Sequence, residues 1–243
     1  MASKQPAINN RLLDLLPDDV LSRLRPHLEP ISLVANQSIQ EPGEPADYVF
    51  FPTRGLISLV ALTSDGDSIE VGMIGNEGMF GVAAVLGDDA PTQRAMVQLP
   101  GAALRMPSRM LREQLRVHDE FEAIVHRYVL LTLNTAAQTA ACNRLHLLEQ
   151  RLARWLLLAH DRADGDTFPM THEFLGMMLG VRRAGVTVAA QTFQADGKII
   201  YNHGTMTILD REGLEAVSCD CYDYIQSEQA RLVGQSAMQT PKT

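Results

Sequence analysis

Hydrophobic and polar positions change rhythm three times along the chain. Over residues 8–28 (INNRLLDLLPDDVLSRLRPHL) leucine and valine recur at helical spacing, and Pro17 with Asp18 restarts the pattern, which predicts two short helices. From about 31 to 107, short runs of Val, Ile, Leu and Phe alternate with turn clusters such as EPGEPAD (41–47), TSDGD (63–67), GNEG (75–78) and GDDAP (87–91). LISLVALT (56–63) and SIEVGMI (68–74), joined across SDGD, predict a hairpin. Turn signals about every ten residues over this length predict an antiparallel barrel or sandwich.

After Pro107 the period becomes helical. SRMLREQLRVH (108–118) is amphipathic, and DEFEAIVHRYVLLTLNTAAQTAAC (119–142) runs on without Gly or Pro from an acidic first turn. Phe121, Ile124, Tyr128, Leu131, Thr135, Gln138 and Cys142 recur close to a period of about 3.5 residues, which predicts the seam of a two-chain coiled coil. An ordinary core-packing helix fits the same pattern. RLHLLEQRLARWLLLAHDR (144–162) is a further apolar helix, ended by the polar ADGD.

MTHEFLGMMLGVRRAGVTVAAQTF (170–193) scans as two short helices about a tight turn. Thr171 is placed to cap the first, Phe174, Leu175, Met178 and Leu179 form its apolar face, and Gly180 supplies the turn. The second helix is expected from Arg182 to about Gln194, with Val186, Ala190 and Phe193 packed inward and Arg183, Thr187, Gln191 and Gln194 outward. That outward face carries major-groove chemistry: Arg donates in pairs to guanine, Gln pairs with adenine, and Thr offers a hydroxyl and a methyl. Arg182, at the helix start, is suited to a phosphate. QADGKIIYNHGTMTILD (194–210) follows as two alternating strands about Asn202–His203–Gly204, which makes the unit a winged helix-turn-helix, with Lys198, Asn202, His203 and Thr205 as backbone contacts on the wing.

With these segments in this order the sequence resembles the cyclic-AMP receptor protein/Fnr (Crp/Fnr) family of bacterial transcription regulators, from about Leu12 to Leu214. Gly180-Val181, Arg183, Val186 and Ile208-Leu209-Asp210 carry the most specific part of the match. The resemblance implies an α+β chain: an N-terminal double-stranded β-helix, jelly-roll-like and cyclic-nucleotide-binding-like, as sensor domain (1–118), a long dimerisation helix (119–142), a C-terminal winged helix-turn-helix (143–225) and a tail (226–243). It also implies a homodimer on a palindromic double-stranded DNA operator, with RNA polymerase as a further partner. The DNA-binding residues are then Arg182, Arg183, Thr187, Gln191, Lys198 and His203.

The departures from the family pattern are specific. Its recognition helix opens with Ser or Thr, then Arg-Glu, with another Arg further along. Here Arg182, Ala184 and Val188 stand in the first, third and last of those places, and only Arg183 carries over. Gly185 is expected to weaken the helix and to allow close approach to the phosphate backbone. In the sensor, aligning EGMFGVAAVLG (77–87) puts Val82 after Gly81 where the ribose-binding Glu belongs. Aligning TQRA (92–95) puts Gln93 at the phosphate-binding Arg and shifts Arg94 by one, to the opposite strand face. Gly81, Val82, Gln93, Arg94, Tyr128 and Thr135 are the effector-pocket candidates, and cyclic AMP is not the expected effector.

Cofactor chemistry finds little support. The chain has no cysteine before Cys142, so the family's N-terminal iron–sulfur cluster is not expected. Haem would need an axial ligand from His118, His126 or His146. Cys219 and Cys221 form a C-x-C pair without a matching His or Cys spacing, and they read as ordinary thiols. No metal and no cofactor is expected. GNEGMFG (75–81) sits in a β meander rather than a βαβ unit, and no nucleophile or metalloprotease signature occurs, so the chain does not read as an enzyme.

Net charge of −8 lowers the expectation of nucleic-acid binding, but the acidic excess falls before residue 142 and the helix-turn-helix region is near neutral. No run of about 18 apolar residues predicts a membrane span, the N-terminus lacks the features of a secretory signal, and three cysteines, which cannot all pair, suit a reducing cytoplasm. A second reading stays open: a small-molecule-binding module whose helix-turn-helix serves protein interaction rather than DNA reading.

Overall fold

A computed structural model describes residues 8–234 of the chain. The chain opens on the two predicted short helices, α1 (Arg11–Asp14) and α2 (Asp18–Leu24). Asn10 caps α1 by accepting from the Leu13 amide, and its own amide group donates to the carbonyls of Pro52 and Gly78 at 2.8 Å each, pinning the helix to two segments distant in sequence. Five antiparallel strands come next: β1 (Glu29–Leu33), β2 (Ser38–Gln40), β3 (Tyr48–Leu62), β4 (Ser68–Ile74) and, after the one-turn helix α3 (Val82–Val85), β5 (Arg94–Pro107). The predicted hairpin is β3 with β4, paired from Ile57↔Ile74 to Leu62↔Ser68.

The strand order is β1-β5-β3-β4, with β2 on β5 as well. β3 and β5 pair along nearly their whole length but slip register around Pro52–Ile57, where the sheet turns a corner and becomes a roll. Gly101 makes that corner possible, since a Cβ there would meet the Arg54 carbonyl.

Helix α4 (Ser108–Val117) leads into α5 (Asp119–Leu145), a 27-residue helix. Here the structure corrects one expectation. Phe121, Ile124, Tyr128, Leu131 and Cys142, predicted to form a seam between two chains, are buried within this one, because α5 packs against β4 and the C-terminal helix. A different stripe stays open. Leu130 and Leu133 are 44% and 62% exposed, and Ala137 and Ala140 continue the row at alternating three- and four-residue steps.

The C-terminal part comprises α6 (Leu148–His160), β6 (Thr167–Pro169), α7 (His172–Leu179), α8 (Arg183–Ala195), β7 (Ile199–Asn202), β8 (Thr205–Ile208), α9 (Arg211–Val217) and α10 (Cys221–Val233). The expected wing is present as β7 and β8, and β6 adds a third strand beside β8. Helix α10 runs on through the boundary expected at 225; the remainder of the expected tail, from 235, lies outside the described residues. One hydrophobic core joins both halves of the chain: Leu56, Val60 and Leu99 of the roll pack in the same cluster as Trp155, Leu179, Val186 and Phe193.

Candidate nucleic-acid interface and sensor cavity

Helix α7 begins at Thr171, whose hydroxyl accepts from the Phe174 amide, and ends at Gly180 with φ 63. Gly180 also has Ile69 of β4 beside it, so a side chain there would be both strained and obstructed. Arg151 of α6 donates to the Leu179 carbonyl and so occupies the open C-terminal end of α7. Arg182 serves as the N-cap position of α8 with an extended backbone and no side-chain cap bond.

Val186, Ala189, Ala190 and Phe193 are buried, which places the inward face as expected. Of the six expected DNA-contacting residues, four stand in the open: Arg182, Arg183 and Gln191 on α8, and His203 at the tip of the wing. His203 and Gly204 both take positive φ, the primed two-residue turn that suits strand twist. The first two arginines sit at the N-terminus of α8, where unpaired amides and the helix dipole already favour an anion.

Thr187 and Lys198 differ from expectation. Thr187 is only partly exposed, with its hydroxyl donating to the Arg183 carbonyl and lying 3.1 Å from His172 Nδ1. The His172 ring stacks on Tyr201 at 3.9 Å, tying helix to wing. Burial, assisted by the charge of Arg183, holds the His172 pKa below its ordinary value, so the imidazole is neutral. Lys198 has a 14% exposed side chain paired with Asp196 at 2.7 Å, so its charge is already answered within the chain. Gln194, expected to face outward, accepts from the Tyr201 amide at 3.0 Å and closes the wing onto α8. Gly185 meets Leu148 of α6 rather than open space. Val188, where the family carries an Arg, is 61% exposed in the middle of the outward face.

Inside the roll a cavity of about 270 Å³ is walled by β4, the α3 region, α5 and α10. Gly81, Val82, Gln93, Tyr128 and Thr135 line it. Arg94 does not; it turns away and pairs with Glu41 at 2.9 Å, as the one-residue shift in strand register requires.

A pair not read from the sequence dominates the cavity's charge. Arg162, just past α6, reaches Glu77 with two N–H groups at 2.7 and 3.0 Å, and both side chains are 6% exposed. Burial alone would push the Glu77 carboxyl up, but the Arg162 charge and the Gly75 amide outweigh it and hold the pKa below the usual carboxylate range. The GNEG turn supplies the room: a Cβ at Gly75 would lie 2.7 Å from Arg162 Cγ, and one at Gly78 would strike the Tyr128 ring. Burial raises the Tyr128 phenol well above its ordinary pKa, with the Glu77 charge adding to it, so it stays neutral. A second contact between the halves is made by Glu70 of β4, which accepts from Ser58 Oγ at 2.6 Å and Trp155 Nε1 at 2.9 Å.

Comparison with known proteins finds the same two parts. Residues 30–118 match the cyclic nucleotide-binding domain, and residues 150–217 match the Crp-like helix-turn-helix domain. No curated protein matches the chain closely enough to count as a relative. Among solved structures, a protein from Eubacterium rectale described as a transcriptional regulator of the Crp/Fnr family superposes with TM-score 0.67 at 16% identity, over 85% of this chain and 96% of that one. FixK2 from Bradyrhizobium japonicum gives TM-score 0.66 at 16% identity, over 79% and 98%. A CRP/FNR-family transcriptional regulator from Thermus thermophilus gives 0.61 at 20% identity, over 78% and 98%. These likenesses show a shared fold.

Proposed function

The chain belongs to the Crp/Fnr family, with its cyclic nucleotide-binding domain followed by a Crp-like helix-turn-helix domain, and on that premise we propose that it is a homodimeric, sequence-specific DNA-binding regulator of transcription. The observation that carries the reading is the outward side of α8, where Arg182, Arg183 and Gln191 stand clear of the core beside a structured wing. Arg183 reads a base edge, Arg182 and His203 hold phosphates, and Gln191 contacts a second base. The operator differs from that of relatives carrying a second recognition-helix Arg, because Val188 offers only a methyl-contacting surface there. The Leu130, Leu133, Ala137, Ala140 stripe supplies the dimer seam, with alanines permitting close helix approach.

The cavity in the roll is the effector site. Its lining is mainly apolar, its two charged groups neutralise one another, and no further Lys or Arg lines it among the described residues. That chemistry suits a neutral, largely apolar small molecule and not cyclic AMP, whose phosphate would need a cation freed from its partner.

Selection from random duplex DNA by the purified chain at moderate salt tests the reading. Recovery of a palindrome with half-sites about one helical turn apart supports it. Failure to enrich any sequence, both alone and in cell extract, overturns it. The exposed Val188 would then favour a helix-turn-helix that docks a protein.

A further inference from the structure

The three cysteines come together in the fold although they are far apart in the chain. Cys142 lies in the last turns of α5 and His146 follows one turn later as its C-terminal cap. Cys219 lies between α9 and α10, and Cys221 begins α10. The Cys142 and Cys219 sulfurs are 3.5 Å apart, and Cys221 Sγ is 3.4 Å from His146 Nδ1. All four ligand atoms fall within 4.8 Å of one another, and the three cysteines form a buried cluster separate from the other cores.

We propose that Cys142, His146, Cys219 and Cys221 form a tetrahedral site for a single zinc-class ion, clamping the end of the long helix to the start of α10. The spacing fits that geometry. With Zn–S near 2.3 Å, neighbouring sulfurs in a tetrahedron lie about 3.8 Å apart, so the 3.5 Å between Cys142 and Cys219 needs only tenths of an ångström of adjustment, and no separation, all being within 4.8 Å, needs more than about 1 Å. Three thiolates and an imidazole are a recognised zinc donor set, and four protein ligands leave no open position, as in a structural site. A polynuclear iron–sulfur cluster would spread its thiolates around several iron atoms, whereas these converge on one point.

The surroundings are those of a metal site. His146 presents Nδ1 to the cluster while its Nε2 faces Asp220 Oδ1 at 3.6 Å, about a tenth of an ångström beyond hydrogen-bond reach and placed to become the carboxylate–imidazole contact that orients a ligating histidine. The Gln138 amide donates to Cys221 Sγ at 3.0 Å. Each thiol gives its proton to water as it ligates, and the resulting group of three thiolates and one dication carries a net negative charge. Arg151 and Arg154 lie nearby, both buried, and each has an Nε without a hydrogen-bond partner. Their charges offset that of the occupied site.

Metal content and cobalt(II) titration of the full chain, with no DNA present, test the proposal independently of any operator. Protein purified under reductant should carry about one zinc per chain, and its thiols should resist a thiol reagent until chelator and denaturant are added. After stripping, cobalt(II) should saturate at one ion per chain with strong sulfur-to-cobalt charge-transfer and tetrahedral d–d bands. Asp220→Asn, which leaves every ligand in place, should weaken cobalt affinity about 10- to 100-fold, an effect that ordinary packed thiols would not show. Cys221→Ser should alter the charge-transfer intensity. A Cys142–Cys219 disulfide in the reduced preparation, or cobalt spectra of the weak octahedral kind in the wild-type chain, would overturn the proposal even if the variants failed to fold.

Discussion

The indole N–H of Trp155 donates to the carboxylate of Glu70 across 2.9 Å, joining α6 of the C-terminal half to β4, an edge strand of the roll. Glu70 is buried, and burial pushes its pKa up to about 7 against the opposing hydrogen bonds of Ser58 and Trp155 and the charge of Arg154. A folded-state pKa above the unfolded one means that the folded chain holds the extra proton. Its stabilising contribution is complete below the unfolded pKa of 4.5 and is lost as pH rises through about 7. Denaturant unfolding should therefore show stability falling by up to about 3 kcal/mol across that window. Glu70→Gln should flatten this dependence, and an unchanged pH profile in the variant would remove Glu70 as its source.

Arg183→Ala should lose about 1–3 kcal/mol of operator affinity and relax preference at one base position. His203→Ala should weaken all sequences alike. Lys198→Ala, because its charge is spent on Asp196, should shift affinity by less than about 1 kcal/mol. Fluorescence anisotropy with matched and mismatched duplexes separates the three, and equal losses from Arg183 and Lys198 would contradict the assignment.

Arg162→Ala leaves Glu77 buried without its partner and should cost about 3–5 kcal/mol of stability. Replacing both members by Leu and Met should recover much of that loss, since the desolvation of both charges is removed together. Urea midpoints for the Leu and Met replacements made singly and together give the coupling directly, and additive losses would show that the pair is not coupled.

With the dimer seam proposed above, Ala137→Glu should yield monomers in light scattering where the wild-type chain is a dimer, while leaving the thermal midpoint of the monomer intact, since this position is exposed in the single chain. Leu131→Ala, on the buried side of the same helix, should instead cost about 2–5 kcal/mol of folding stability. If Leu131 changed association and Ala137 did not, the seam would lie on the other face.

The β3–β4 hairpin, the Thr171 cap, the Gly180 turn and the wing were legible because each is written in adjacent residues. What periodicity could not say was which surface covers an apolar stripe. The row from Phe121 to Cys142 is as regular as a coiled-coil seam, yet β4 and α10 cover it, and α10 arrives from far along the chain. Glu77 and Arg162 are 85 positions apart, so no local pattern pairs them. Outward orientation on α8 was correct for Arg183, Gln191 and Gln194, which are exposed, but the Gln194 side-chain oxygen is engaged by the Tyr201 amide of the wing and the partly buried Thr187 lies against His172 of α7. The C-x-C pair finds its partners 75 and 77 positions away, beyond any spacing rule.

The shared core of roll and helix-turn-helix bears on how this chain can be rearranged. Leu56, Val60 and Leu99 are shielded by residues of α6, α7 and α8, and Gly180 abuts Ile69. The DNA-binding half is therefore no exchangeable cassette: grafting it onto a relative's sensor, or replacing it with a relative's, strips apolar surface from both pieces at once. A working chimera must repack both sides of that seam together, the roll residues of β3 and β5 with those of α6, α7 and α8.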